Sequence, residues 1–255
     1  MAVWVVGDIH GCYDTFMTLL ENPEIREDDR IILIGDIIDR GRNVLKMLNW
    51  AMDNVSDDGR YQMICGNHED NIIRDFERVQ ADYPFSPDID FRDASILKME
   101  CHYEFDSYMH HQGFNTIGSI EHFVEWFRGL PLYKKVDVQG PGGTVQSYVI
   151  AHGWYRKGAS RKDILWERDV DWFGRFLADY VPESDEILIH GHTPTLNENG
   201  YANNAEVCFR EHSINIDCGA CFENYEGKLA AIRLEDKKVI YQPMIHTDSK
   251  YAFMD

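Results

Sequence analysis

The chain has 255 residues, long enough for one large domain or two small ones, with a core that takes roughly 70–75% of the unfolded surface out of water. Hydrophobic residues make up 44% and charged residues 27%, the composition of a globular protein and not of a disordered or fibrous one. Lys and Arg number 25 against 44 Asp and Glu, a net charge of −19 that argues against nucleic-acid binding and against docking on an anionic membrane.

Ala2–Val6 is an apolar run too short for the hydrophobic region of an export signal and without a basic flank. No window approaches the ~20 apolar residues of a membrane span. With no export signal, the six cysteines (Cys12, Cys65, Cys101, Cys208, Cys218 and Cys221) read as reduced thiols, and the expected location is the cytoplasm. Cys218 and Cys221 have CxxC spacing, but no second CxxC completes a structural zinc site.

The first half alternates strand and helix. Ala2–Val6 ends at Gly7, and Phe16, Leu19 and Leu20 come next at helical spacing. Arg30–Ile34 is a second β-run, ended by Gly35. Val44, Met47, Leu48 and Ala51 then mark one face of an amphipathic helix. Tyr61–Ile64 is a third run, leading into Cys65 and Gly66. The repeated order predicts βαβ units and a largely parallel sheet.

From about residue 70 to 130 the rhythm breaks. Glu69 to Asp106 carries eleven acidic and four basic residues, with Pro84 and Pro87 interrupting. Helical spacing returns at Ile120, Phe123, Val124 and Phe127, with Thr116 or Ser119 as the cap. The stretch reads as a mainly helical insertion beside the core of a single domain spanning 1–255; its acidity is most simply a solvated face, with a lid as the alternative, and its position directly after the Asn67-His68 turn is expected to let it shape substrate access. The second half predicts strands at Tyr148–Ala151, Glu186–Ile189, Ser213–Ile216, Leu229–Leu234 and Val239–Gln242. Two packed sheets with helices outside accommodate all of these elements.

The chemistry lies in the turns at the ends of the strands. Five β-runs lead into glycine-containing turns that bear Asp, His or Asn: Gly7-Asp8-Ile9-His10-Gly11, Gly35-Asp36-Ile37-Ile38-Asp39-Arg40-Gly41, Gly66-Asn67-His68-Glu69, Ala151-His152-Gly153 and His190-Gly191-His192-Thr193. The carboxyl ends of parallel strands open onto one crevice, so these side chains can converge there. Any one of them alone is most simply structural or solvated; five such clusters together point to a metal site. Asp, His and Asn form a hard-to-borderline donor set that suits Mn, Fe or Zn better than Cu(I) or an iron–sulfur cluster. Two metals need a shared ligand, and a carboxylate has two oxygens to offer. The spacing of Asp8 and His10 suits two ligands on one ion. His102, His110, His111, His122, His212 and His246 lack this context and read as surface or structural residues, and His190 is expected to point away from the metals.

Taken together, GDIHG, GDIIDRG, GNHE, AHG and HGHTP resemble the motifs of the calcineurin-like metallophosphoesterases. The Asp39-Arg40-Gly41 continuation narrows the resemblance to the phosphoprotein-phosphatase type, and Ile214–Gly219 is similar to its short bacterial serine/threonine phosphatase members. The resemblance implies an α/β fold, a two-sheet β-sandwich flanked by helices. It implies two divalent ions, manganese first with iron or zinc as alternatives. Asp8 and His10 would bind one ion, Asp36 would bridge, and Asn67, His152 and His192 would complete the second. A metal-bridging hydroxide would attack phosphorus in line. Arg40 would hold phosphate oxygens, and His68, paired with Asp39, would protonate the leaving oxygen. Arg168, in Leu165-Trp166-Glu167-Arg168, matches a segment where bacterial members carry a phosphate-binding arginine. General principles fit these roles: phosphoryl transfer needs mainly positioning and charge neutralisation, and a His–Asp pair keeps an imidazole protonated and aimed.

One position departs from the family. Many members carry Arg or Lys immediately before GNHE, and here Cys65 stands there. The expected substrate is a phosphoprotein or a phosphorylated small molecule, with phosphoserine and phosphothreonine in proteins as the leading reading. Symmetrical cleavage of dinucleoside polyphosphates such as diadenosine tetraphosphate is the alternative, with Trp154, Tyr155 and Trp166 as candidate base stackers. A non-catalytic binding module on the same fold is the third reading, and no degenerate ligand position speaks for it.

Overall fold

The structure is a computed structural model and describes residues 1–82, 88, 109, 112–114, 116–170, 185–199, 201 and 204–249. Its strands are β1 (Val3–Val6), β2 (Arg30–Leu33), β3 (Tyr61–Met63), β4 (Tyr133–Gln139), β5 (Val145–Ala151), β6 (Ile187–His190), β7 (Cys208–Phe209), β8 (Ser213–Asn215), β9 (Lys228–Arg233) and β10 (Val239–Pro243). Its helices are α1 (Tyr13–Leu20), α2 (Val44–Asn54), α3 (Asn67–Asp82), α4 (Ile117–Arg128) and α5 (Arg161–Trp166).

The strands form two five-stranded sheets, ordered β10-β9-β1-β2-β3 and β4-β5-β6-β8-β7. The β1, β2 and β3 pairings are parallel, as the βαβ pattern predicts, but β9 and β10 extend this sheet antiparallel. In the second sheet β5, β6 and β8 run parallel, with β4 and β7 as antiparallel edges. Side chains alternate across a strand. Val3 and Val5 therefore face the second sheet and join Ile32, Tyr148, Ile150, Ile189 and Ile214 in the inter-sheet core. Trp4 and Val6 face outward and pack with Phe16, Met47, Phe76 and Phe123 from the helices. On the far side Val149 and Leu188 are covered by Tyr155 and Ile164. The layering is helix, sheet, sheet, helix.

Two strands escape the sequence pattern. β4 is an edge strand in which only Val136 and Val138 of seven residues are buried, and β7 has two residues. The helix α3 also begins earlier than the composition suggests, at Asn67 itself, and its Ile72, Ile73, Phe76 and Val79 are core residues. Helix α4 starts after Thr116, whose N–H donates to Ser119 Oγ at 3.2 Å. Most of the expected insertion between α3 and α4 lies outside the described residues. Among the described residues, no helix is long and apolar enough to cross a membrane.

Candidate metal centre

The parallel strands of both sheets end at one place. Asp8 and His10 follow β1, Asp36 follows β2, Asn67 follows β3, His152 follows β5 and His192 follows β6. All six side chains are buried there. Asp36 Oδ2 lies 3.3 Å from His152 Nε2, 3.7 Å from His10 Nε2 and 3.7 Å from His68 Nε2. Asn67 Oδ1 is 2.8 Å from both His152 Nε2 and His192 Nδ1. Asp8 Oδ2 accepts the His192 N–H at 3.2 Å. Two groups have donor atoms close enough to share an ion: His10, Asp36 and His68, and Asp8, Asp36 and His152, with Asp36 common to both.

The backbone is shaped for this convergence. The amides of Ile9 and His10 donate to the Asp36 carbonyl, and Gly41 N–H donates to the His10 carbonyl, lacing the loops after β1 and β2 together. Five of the eight described non-glycine residues with left-handed backbone are His10, Asp36, Asp39, Arg40 and His192. Such conformations cost energy and cluster where function requires them. Two glycines allow the carboxylates to approach: a Cβ at Gly191 would lie 2.1 Å from Asp8 Oδ1, and one at Gly66 would lie 2.2 Å from Asp36 Oδ1.

The donor set fits a cation. His10 Nδ1 and His152 Nδ1 each sit 2.9 Å from a backbone carbonyl, of Ile38 and Ile34 respectively. With those nitrogens donating, each Nε2 presents its lone pair to the cluster, the arrangement that orients metal-binding histidines. Burial, with Asp217 and Asp36 nearby, pushes the Asp8 carboxyl well above its ordinary pKa, and Asp8 Oδ1 has no hydrogen-bond partner among the described residues. Burial also opposes ionisation of Asp36, but His152, His68 and His10 overcome it and hold its carboxyl well below the usual range. Burial disfavours a charged His152, yet Asp36 and Asp8 raise it to about 10. Buried carboxylates crowded in this way need positive charge among them. A cation bound between these groups would compete with the His152 proton.

Around this centre, His68 Nδ1 is hydrogen-bonded to Asp39 Oδ2. Burial works against a protonated His68, but Asp36 and Asp39 outweigh it and raise its pKa. Arg40 Nη2 lies 3.5 Å from His68 Nε2, and the guanidinium stacks over the Phe222 ring at 5.1 Å. Arg168 is exposed. Burial, then the charges of His152 and Arg168, hold His192 well below the ordinary histidine range. His190 is not in the cluster; its ring packs edge-on to Trp154 at 5.7 Å, and its Nε2 faces Asp169 at 3.9 Å. Trp166 has its ring 6.1 Å from His192, whereas Tyr155 is buried against Tyr133. Cys218 belongs to the inter-sheet core and Cys221 packs against the helical layer, so the CxxC thiols serve different environments. At the Cys65 position, Arg161 lies across the buried thiol, its Nη2 3.7 Å from Sγ and its Nε 2.6 Å from Asp70 Oδ1.

Two further residues shape the site and have no role assigned by sequence reasoning, although both stand inside its motifs. Glu69 is fully buried and accepts the N–H groups of Asp36, Ile37 and Gly66, each at 2.9 Å. Asp217 follows β8 and accepts the Gly219 N–H at 2.9 Å; burial raises its pKa to about 6.

The sequence profile of the calcineurin-like phosphoesterase family matches residues 1–220. The chain belongs to that family. Among curated proteins it is similar to bis(5'-nucleosyl)-tetraphosphatase PrpE, asymmetrical, of Bacillus cereus (strain Q1), with 24% identity over 94% of this chain and 93% of the relative. A bis(5'-nucleosyl)-tetraphosphatase, symmetrical, of Salmonella arizonae is 32% identical over 101 residues, 38% of this chain and 35% of the relative. In fold it is similar to a metallophosphoesterase from Sphaerobacter thermophilus, with a TM-score of 0.55 at 15% identity over 100% of this chain and 93% of the other. The family assignment makes the protein a metal-binding phosphoesterase.

Proposed function

We propose that this metallophosphoesterase hydrolyses dinucleoside polyphosphates at a centre of two divalent ions. Asp8, His10 and Asp36 would hold one ion, and Asp36, Asn67, His152 and His192 the other. Manganese suits this oxygen- and nitrogen-rich set, and iron and zinc are compatible with it. Such ions supply an activated water at neutral pH and neutralise charge on phosphate oxygens. The observation that carries the reading is the buried meeting of Asp8, His10 and His152 at Asp36, with Asn67 joining His152 to His192.

The chain's own groups do the rest. Arg40 and Arg168 bind non-bridging phosphate oxygens, and arginine forks match that geometry. His68, whose pKa is raised by Asp36 and Asp39 and whose ring is aimed by its hydrogen bond to Asp39, donates to the departing oxygen where that oxygen needs a proton. Trp166, beside His192, offers a flat surface for a base. Full-length similarity to a curated tetraphosphatase supports the nucleotide reading. So does Cys65, which leaves the position before GNHE without the basic residue of many phosphoprotein phosphatases.

The second reading, phosphoserine and phosphothreonine in proteins, rests on Asp39-Arg40-Gly41. Incubating the protein and Mn²⁺ with diadenosine tetraphosphate and with a phosphopeptide panel separates the two. The first reading expects turnover of the dinucleotide, and release of ADP alone against ATP with AMP distinguishes symmetrical from asymmetrical cleavage. Turnover of phosphopeptides only would establish the second. The five described cysteines are free thiols, in keeping with a proposed cytoplasmic location.

A further inference from the structure

A polar network ties Asp169, the neighbour of Arg168, to the turn that carries His192. Asp169 is 1% exposed, although its neighbour Arg168 lies at the surface. Both Asp169 carboxylate oxygens are 2.6 Å from the Tyr201 hydroxyl. That hydroxyl accepts a hydrogen bond from Asn215 Nδ2 at 2.7 Å. The same amide nitrogen donates to the Thr193 carbonyl at 2.9 Å, one residue beyond His192. Asn215 Oδ1 in turn accepts the Asp217 N–H at 3.0 Å. The chain of contacts thus runs from the residue after Arg168, through Tyr201 and Asn215, to the turn that carries His192 and to Asp217.

Burying a carboxylate is costly unless it is well hydrogen-bonded. A surface loop could carry Arg168 with an exposed neighbour, and here the neighbour is drawn fully inside. We propose that Asp169 and Tyr201 are positioning residues that fix Arg168 over the metal centre, so that the substrate phosphate meets a guanidinium already in place. This positioning role rests on the phosphate-binding role proposed for Arg168. A side chain held in its binding pose loses less freedom when ligand arrives, which is how preorganisation improves affinity. The lost interaction concerns ground-state and transition-state oxygens alike, so its removal raises KM more than it lowers kcat.

The test uses Tyr201→Phe, which keeps the ring and deletes the hydroxyl. For an aryl phosphate, KM and the inhibition constant of inorganic phosphate should both rise about tenfold, the scale of one hydrogen bond to a charged group, with kcat nearly unchanged. In metal-free protein, amide hydrogen exchange should accelerate in residues 167–170 and stay unchanged in α2. In an Arg168→Ala background, Tyr201→Phe should add no further loss in KM. If Arg168→Ala alone leaves KM and phosphate inhibition unchanged, the role of Arg168 fails. If Arg168→Ala raises both and Tyr201→Phe alters neither them nor the exchange, Arg168 stands and the positioning proposal is overturned. Should Tyr201→Phe fail to fold, Asp169→Asn is judged by the same three criteria.

Discussion

Glu69 accepts the backbone N–H of Asp36 at 2.9 Å, so the central carboxylate of the site is held in place by another carboxylate behind it. Asp36 itself sits in the left-handed region at φ 50°, where a non-glycine residue needs outside support. Glu69 gives that support by accepting Ile37 N–H and Gly66 N–H as well.

Replacing Glu69 by Gln puts an amide NH₂ where at least one backbone N–H must be accepted. The variant is expected to lose about 1–3 kcal/mol of stability, the cost of an unsatisfied buried donor. Its Mn²⁺ affinity, measured by calorimetry, should fall although none of the proposed ligands has changed. Unaltered unfolding and Mn²⁺ binding would remove Glu69 from the supporting structure.

Gly191→Ala is a second probe of the same packing. The added methyl would lie 2.1 Å from Asp8 Oδ1 and 2.4 Å from Ile34 Cδ1, too close for either to remain where it is. Overpacking of this kind costs about 1–3 kcal/mol. The expected result is a folded protein of lowered melting temperature that binds fewer Mn²⁺ ions per chain. Full metal stoichiometry in the variant would show that Asp8 can shift without loss.

A contribution to acid stability is expected from the opposite end of the strands. Asp29 precedes β2 and accepts Ala2 N–H at 2.6 Å, Arg26 N–H at 3.0 Å and Trp4 Nε1–H at 3.1 Å. Burial tends to raise its pKa, but the amides of Ala2 and Arg26 and the Trp4 indole outweigh it and lower the carboxyl below its ordinary value. A folded pKa below the unfolded one means that the native state binds fewer protons. The contribution is therefore present above the unfolded pKa of about 3.9 and is lost as pH falls through the lower folded value. Unfolding temperatures measured from pH 6 to 3 should drop less steeply on the acid side for Asp29→Asn than for the parent. Parallel curves would exclude Asp29 as a source of the acid slope.

The centre is far more legible in the sequence than its supports. Asp8, His10, Asp36, Asn67, His152 and His192 each stand in a glycine-flanked turn directly after a hydrophobic run, and local pattern suffices to single them out. Glu69 is visible only as a letter in a motif, because its partners are backbone amides, including two some thirty residues away. Asp169 and Tyr201 are farther from recognition still, being joined by a hydroxyl contact across thirty-two residues that no periodicity marks. In the fold, β4 escapes notice because Lys134, Lys135 and Asp137 interrupt its apolar residues on an exposed edge. The antiparallel placement of β9 beside β1 is likewise a long-range pairing with no local signature.

The general-acid role proposed for His68 makes a prediction that depends on the leaving group. With Nδ1 bonded to Asp39, the ring can present an Nε2 proton near Asp36 and Arg40, on the crevice side. A proton from that position matters when the departing oxygen is a poor leaving group, such as an alkoxide, and little when it leaves readily as an anion. General acid catalysis contributes about 10²–10⁴-fold where it is needed. His68→Asn is therefore expected to slow hydrolysis of an alkyl phosphate by that factor and hydrolysis of p-nitrophenyl phosphate far less. Cleavage of diadenosine tetraphosphate, whose leaving group is itself a phosphate, should follow the aryl substrate. Asp39→Asn should reproduce the same ranking with smaller losses, because it weakens the hold on the imidazole and leaves the ring in place. Equal losses on all three substrates would instead mark His68 as a group that binds phosphate or orders the metal centre, with no proton to give.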